Sequence, residues 1–472
     1  MTGQGEAIQP LDASAEAAAA PPIDVKFDRA DRNSFAATAA IALIGYLFTL
    51  APNLTLEWSG IHSTAAYYCG VTSPPGYPVW TLYAGVFSHL IPFSNIAWRI
   101  AVSSAVASAV ACGLVAMLVS YGGRFTISGL HEFARLHPEI QKQLRSACGC
   151  IAGLVLAFSG TVWKDAVVVD TDGVGLLLFA SVLLLLARWF FEPTRKRFLF
   201  AAFVLYGLLL TNNQELIVAL PGIVAGTMLA KKEVGRDLAL FFLPLAVWAT
   251  CFDQFGGVWI SFPERINFIT LTLFAVVVLA GLALVGITLR AGTEWRFVLG
   301  CAGCLLLGLA FYLYIPIASM TNPPANWGYA RNPEGILHLI TRGQYERIHS
   351  TPSLGTYCNQ IVGLAIFTGK QLGWVPVVVA LVPIAVVKWL TSAGRRWLAA
   401  LAGIYLCVGV VLLAIMNPPA DQNIFDVYFA EDAPYLVIAI FFGMGLMVIT
   451  SKMTLSQEAT LSTPSPKGVI DE

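Results

Sequence analysis

The chain has 472 residues, 57% of them hydrophobic and 12% charged, with a mean hydropathy of +0.72. A soluble domain of that length cannot hide so much apolar surface in a core, so a bilayer is the natural solvent. The 28 basic and 28 acidic side chains cancel; net charge therefore names no partner, and no motif points to nucleic acid.

Residues 1–33 are Ala-rich and polar, without the apolar core of a signal peptide. They predict a disordered cytoplasmic tail ahead of an uncleaved anchor. Apolar stretches then recur at 34–54, 95–119, 146–163, 173–191, 198–211, 216–230, 238–252, 267–289, 297–317, 373–390, 397–416 and 434–450, and each is counted as a membrane span. The expected fold is an all-α polytopic membrane domain, 34–450, of about twelve transmembrane helices, with a second cytoplasmic tail at 451–472. With both termini inside, about three quarters of the Lys and Arg fall on cytoplasmic loops, as the positive-inside rule requires. Counting the short run 77–91 as a further span would invert that bias. It is read instead as a helix in the outer interface, with Trp80 and Tyr83 at headgroup level.

Two outer loops stand out, 55–94 and 318–372, and function concentrates in such loops. Inside, 120–145 reads as an amphipathic surface helix. The hairpin 198–232 has apolar arms of 14 and 15 residues, reaching only about 21 to 23 Å against a hydrocarbon core of roughly 30 Å. Its turn, Thr211, Asn212, Asn213, Gln214 and Glu215, is therefore expected below the outer surface, in a wet groove. Most cysteines fall in or beside spans as small packing residues. Cys69 and Cys358 are both expected outside, where a bridge between them could form. Glu57 lies just past the first span, beside Trp58. Asp165, Asp170 and Asp172 bracket an apolar run before the fourth span, and Arg331, Arg342 and Arg347 cluster in the late loop, where guanidinium groups suit a phosphate.

The runs Thr49-Leu50-Ala51-Pro52, Glu57-Trp58-Ser59-Gly60, Thr64-Ala65-Ala66-Tyr67 and Ser73-Pro74-Pro75-Gly76-Tyr77-Pro78 resemble the first outer loop of a bacterial membrane-protein family. That family is related to the protein O-mannosyltransferases that modify plexin-type domains. Thr161-Val162-Trp163 with Asp170, Leu208-Leu209-Leu210-Thr211-Asn212, Tyr314-Ile315-Pro316-Ile317, Asn326-Trp327-Gly328 and Arg342-Gly343-Gln344-Tyr345 continue the resemblance in order. Where relatives carry Asp before the Ser-Gly pair and Glu after it, this chain has Trp58 and Ile61, with Glu57 one residue early.

The resemblance implies a glycosyltransferase of the GT-C type, with interfacial helices in the first and late outer loops. Such an enzyme transfers a sugar such as mannose from a polyprenyl-phosphate carrier to an acceptor hydroxyl, on a protein or glycan, at the periplasmic face of a bacterial inner membrane. In an inverting reaction Glu57 is the expected general base, with Asp170 or Asp172 as its orienting partner or substitute. Arg342, Arg347, Gln344, Tyr345, Asn212, Asn213 and Gln214 would hold the donor phosphate and sugar. Trp58, His62, Tyr67, Asn326 and Trp327 would line the sugar and acceptor groove. No metal-site spacing is present and the chemistry requires no cofactor, although clustered carboxylates could hold a divalent ion beside the lipid phosphate. The rival readings are a secondary transporter or lipid flippase, and an inactive relative that only binds polyprenyl lipid.

Overall fold

The computed structural model describes residues 26–56, 58–251, 260–261, 292–342, 348–349, 353–419 and 432–462. Helix α1 (Arg29–Thr49) starts where the carboxylates of Asp28 and Asp31 each accept the other residue's backbone N–H at 3.0 Å, a reciprocal cap. It stops just before Pro52. Two helices follow in the first loop, α2 (Ser59–Tyr68) and α3 (Pro78–Leu90). Helix α4 (Ile96–Thr126) is capped by the Asn95 side chain. Next come α5 (His131–Arg135), α6 (Pro138–Ala157), α7 (Gly160–Ala166) and α8 (Asp172–Phe191). The hairpin is α9 (Lys196–Leu210), a tight turn Gln214–Val218 and α10 (Ala219–Ala230), followed by α11 (Lys232–Cys251).

Helix α12 (Trp295–Leu309) runs on through a tightened turn into α13 (Tyr314–Met320), and α14 (Pro333–Ile340) lies in the late loop. Then come α15 (Leu354–Leu372), α16 (Trp374–Val379), α17 (Val382–Ala385), α18 (Ser392–Tyr405), a widened turn Leu406–Val411, α19 (Leu412–Met416) and α20 (Ala433–Ser462). Two-residue strands β1 (Ile260–Ser261) and β2 (Ile348–His349) pair in parallel.

Helix α4 is the hub, packing against α1, α3, α6, α8 and α20. Its buried face is largely Ala, Ser, Gly and Cys, the residue sizes that let helix backbones approach closely where lipid supplies no hydrophobic drive for association. Between α9 and α12 the approach is closer still: a Cβ on Gly207 would lie 2.3 Å from the Leu305 carbonyl oxygen.

At one end of the bundle, fully buried Asp31 accepts from Arg124 at 2.5 Å and Arg145 at 3.2 Å, and Arg145 also pairs with Asp28 at 2.5 Å. Beside them the Arg188 guanidinium lies 4.6 Å from the ring centre of Phe27 and 4.8 Å from that of Phe198. Apolar side chains such as Phe48, Ile44, Leu306 and Val375 point outward. Among the described residues, five helices are long and apolar enough to cross a membrane, and seven if each bent pair counts as one span. The chain is an integral membrane protein.

Several expectations are revised. The stretch 146–163 is not straight: α6 and α7 meet at 71° across Phe158 and Ser159, where Ser159 is extended. The stretch 373–390 is not one span either, because α16 and α17 are short pieces that turn back from α15 at 115°. Helix α15 occupies the last third of what reads as the outer loop 318–372. The stretch 267–289 lies outside the described residues. Helix α1 begins within the expected amino-terminal tail, because Asp31 and Ser34 are buried against the arginines, and α20 runs into the expected carboxy-terminal one. Trp80 is fully buried within the protein and does not face lipid headgroups, and the half-buried Tyr83 donates its hydroxyl to the Ser103 carbonyl at 3.1 Å; α3 packs on α2 and α4 and turns Leu82, Val86 and Leu90 outward. Cys69 and Cys358 are free thiols.

Candidate functional site

The loop between α7 and α8 is built as a fixed turn. The Asp170 carboxylate accepts the Asp172 backbone N–H at 2.8 Å, the usual way an Asp organises the residues after it and starts a helix. The Asp170 carbonyl accepts from Trp80 Nε1 at 2.7 Å and from Ser104 Oγ at 3.1 Å, which ties the turn to α3 and α4. This anchoring is why Trp80 is buried.

The polar hairpin turn docks on that loop. Asn212 Nδ2 donates to the Thr171 carbonyl at 3.2 Å and to Asn213 Oδ1 at 2.8 Å, and Asn213 Nδ2 reaches Asp172 Oδ1 at 3.4 Å. Thr211 and Asn212 are fully buried. The helical arms are 15 and 12 residues, too short to span a roughly 30 Å core; the amide N–H groups of Asn212, Asn213 and Gln214 find protein acceptors, while Asn212 Oδ1 and Gln214 Oε1 are buried without a hydrogen-bond partner among the described residues.

The late loop comes to the same place. Gln214 Nε2 donates to the Tyr312 hydroxyl at 2.6 Å and to the Ile340 carbonyl at 3.0 Å; the Tyr312 hydroxyl in turn donates to the Leu210 carbonyl at 3.1 Å. Two residues past α14, Arg342 has a left-handed backbone with φ of 53° and pairs with Glu215 at 3.4 Å. Tyr77, in the first loop, lies within electrostatic reach of all these charges. Burial raises its phenol above the ordinary value, Arg342 opposes the rise, and Glu215, Asp172 and Asp170 add to it.

A small cavity of about 20 Å³, room for about one water molecule, is lined by Asp172, Gly175, Phe179, Asn213, Leu216 and Asp432. Gly175 is required by close approach, since a Cβ there would lie 2.0 Å from Asn213 Oδ1.

The first and late loops are sewn together by backbone bonds: Val71 N–H donates to Ala325 O at 2.8 Å and Trp327 N–H to Val71 O at 3.0 Å. The Trp58 ring consequently lies 5.9 Å from Trp327 and 6.4 Å from His62. His62 is buried among Trp80 and Tyr77, with Nε2 at 3.4 Å from Ser73 Oγ. Burial lowers its pKa to about 4, so it is neutral at physiological pH. Asn326 spends its amide N–H on the Ser319 carbonyl at 3.1 Å.

Tyr67 departs from the expected grouping. Its ring stacks on His89 at 4.9 Å and lines a second groove of about 600 Å³ with Asn53, Thr64, Tyr68 and Asn95. Arg331 turns to Asn322 instead. Glu57, Gln344, Tyr345 and Arg347 lie outside the described residues.

Sequence reasoning placed Trp80 at the interface rather than in the site, and assigned no site role to Ser104, Tyr312 and Asp432. An aromatic in a short helix, a serine in a small-residue helix and an acid ahead of a span carry no distinguishing local signal. Glu215 did carry one, as the last residue of the polar turn. Among the described residues, no three His, Cys, Asp or Glu side chains are grouped to hold a metal ion.

Residues 59–235 match the family model described as the protein O-mannosyl-transferase TMEM260 N-terminal domain. The mouse protein O-mannosyl-transferase TMEM260 is 30% identical over 216 residues, which is 44% of this chain and 28% of the relative. The Dictyostelium discoideum protein O-mannosyl-transferase tmem260 is 24% identical over 147 residues, covering 31% of this chain and 15% of the relative. No solved structure matches. The chain thus spans little more than a quarter of the mouse relative, and its likeness to the O-mannosyltransferases lies in the part that builds the first loop, the Asp170 turn and the hairpin.

Proposed function

We propose that this protein is a glycosyltransferase that moves a sugar, mannose by analogy with the named relatives, from a polyprenyl-phosphate carrier to an acceptor hydroxyl at the outer face of the membrane. The observation that carries the reading is the meeting of the Asp170–Asp172 turn, the Asn212 to Gln214 hairpin and Arg342 around Tyr77. These residues come from three separate stretches, and two of them lie in the segment similar to the O-mannosyltransferases.

In the proposed inverting step, the acceptor oxygen forms a bond to the anomeric carbon while the bond from that carbon to the phosphate oxygen breaks. The electron pair leaves with the polyprenyl phosphate, and the acceptor proton passes to a carboxylate. Asp172, set by Asp170 and Asn213, is the base assigned among the described carboxyl groups at the cavity; Glu57 is the alternative base from its position beside Trp58. Arg342 would stabilise the charge growing on the departing phosphate, exchanging Glu215 for it. Phosphate is a good leaving group, so the step needs neither a strong acid nor a metal.

We further propose about twelve spans with both termini cytoplasmic. The arginine-rich end of the bundle, at Arg124, Arg145 and Arg188, lies opposite the candidate site and suits a cytoplasmic face. The first-loop resemblance to bacterial proteins makes the outer face a periplasmic one in this reading, with a protein or glycan as acceptor.

The test is transfer from labelled polyprenyl-phosphate mannose in outward-facing vesicles, comparing wild type with Glu57→Gln, Asp172→Asn and Arg342→Ala. Loss of charge-assisted bonds in Arg342→Ala is expected to weaken donor use by about 10- to 150-fold. Full transfer by both Asp172→Asn and Arg342→Ala would refute the site, and solute uptake without transfer would favour a carrier.

A further inference from the structure

The last helix brings one more acidic residue into the cavity, from outside the segment 59–235. Asp432 immediately precedes α20 and is 8% exposed; its Oδ1 has no hydrogen-bond partner among the described residues, and the Thr161 hydroxyl stands beside the carboxyl. A buried acceptor left unpaired costs about 1–3 kcal/mol, so such an atom in a cavity wall calls for a ligand that donates to it. We infer that Asp432 binds a hydroxyl of the donor sugar, in the cavity it shares with Asp172 and Asn213. The inference rests on the glycosyl-transfer reading and deepens it.

Charge argues for a neutral polyol and against the phosphate. The charged and titratable groups around Asp432 are Tyr46 of α1, Cys112 of α4, Lys164 and Asp165 of α7, and Asp170 and Asp172. Lys164 is the one cation among them, and its ammonium lies 3.8 Å from Asp165. An anionic group entering this cavity meets no cation among the described residues except Lys164, which already pairs with Asp165, whereas sugar hydroxyls donate to and accept from carboxyls and amides alike.

The wall also offers the ring of Phe179 and the side chain of Leu216, and the space between these groups admits a single hydroxyl group in place of one water. Arg342, at the neighbouring hairpin turn, remains for the phosphate. Burial pushes the Asp432 carboxyl up to about 7, with the Thr161 hydroxyl opposing the rise and Asp170 adding to it, so near neutral pH it is present both as donor and as acceptor.

The experiment uses the full chain in detergent with a short-chain polyprenyl-phosphate mannose and its singly deoxygenated mannose analogues. Binding is followed by tryptophan fluorescence, and transfer by label. Asn caps a helix as well as Asp does, so Asp432→Asn keeps the start of α20 even where Asp432→Ala does not fold. Asp432→Asn is expected to raise the donor KM by about tenfold, to flatten the change of KM between pH 6 and 8, and to abolish the penalty for one particular deoxy analogue. A residue with a merely structural role would leave every deoxy penalty as in the wild type. Unchanged donor KM and unchanged deoxy penalties in Asp432→Asn, with transfer intact in wild type, would overturn the assignment and leave the glycosyl-transfer reading standing. A wild type that neither binds nor transfers the probe overturns that reading, and this inference with it.

Discussion

Adding a single methyl group at Gly175 probes the site from within a helix. The Cβ of Gly175→Ala would sit 2.0 Å from Asn213 Oδ1 and 2.7 Å from its Cγ. Ordinary contact begins near 3.4 Å, so the Asn213 side chain must retreat by about 1.4 Å. That breaks its 3.4 Å bond to Asp172 and its 2.8 Å bond from Asn212. Overpacking of this kind costs about 1–3 kcal/mol, only partly offset by the helix preference of Ala over Gly, roughly 0.5–1 kcal/mol. A displacement of about 1 Å at reacting groups can cost on the order of 100-fold in rate. The expected result is a fall in kcat of about that size with a modest loss of thermal stability. Gly303→Ala, whose Cβ meets nothing within 4 Å, serves as the control and leaves transfer unchanged. Combining Gly175→Ala with Asn213→Gly relieves the overlap and restores stability without restoring rate. Wild-type kcat in Gly175→Ala would refute the claim that Asn213 orients Asp172.

Three other perturbations follow from the same contacts. Trp80→Phe keeps the ring but removes the 2.7 Å bond to the Asp170 carbonyl; it is expected to cost about 0.5–1.5 kcal/mol in denaturant unfolding and to slow transfer, because the turn that holds Asp172 loosens. His62 is held down at about 4 by burial, while the unfolded chain takes up that proton near pH 6.5. Stability is therefore full above about pH 6.5 and falls by roughly 3 kcal/mol as the pH drops toward 4. His62→Gln should lack this component when unfolding is compared at pH 7.5 and pH 5, and an identical pH response in the two proteins would contradict it. Asp31→Asn leaves Arg124 and Arg145 without their shared buried carboxylate and should destabilise by about 3–5 kcal/mol, read as a lower thermal midpoint in detergent, with the more exposed Asp28→Asn milder.

Apolar run length and the two short arms of the hairpin were legible in the sequence because both depend on local composition against a fixed membrane thickness. The Asp170, Asp172, Asn212 and Arg342 group was legible as a set of polar residues in unusual places. What joins them was not. Trp80 reads as an interfacial aromatic until α3 is seen beneath α2 with its indole N–H on the Asp170 carbonyl. The bend after α6 escaped notice because Phe158 and Ser159 interrupt hydropathy too little to mark a break.

Composition and periodicity alone determined that this chain lives in a bilayer as helices, since backbone polar groups in lipid must be satisfied within their own segment. Only the tertiary structure decided that Asp432, Asp172 and Asn213 share one cavity, that Arg342 faces Glu215, and that Tyr67 belongs to a different groove. The reason is geometric: helix packing brings together residues remote in sequence, and no local pattern records which helix end stands beside which.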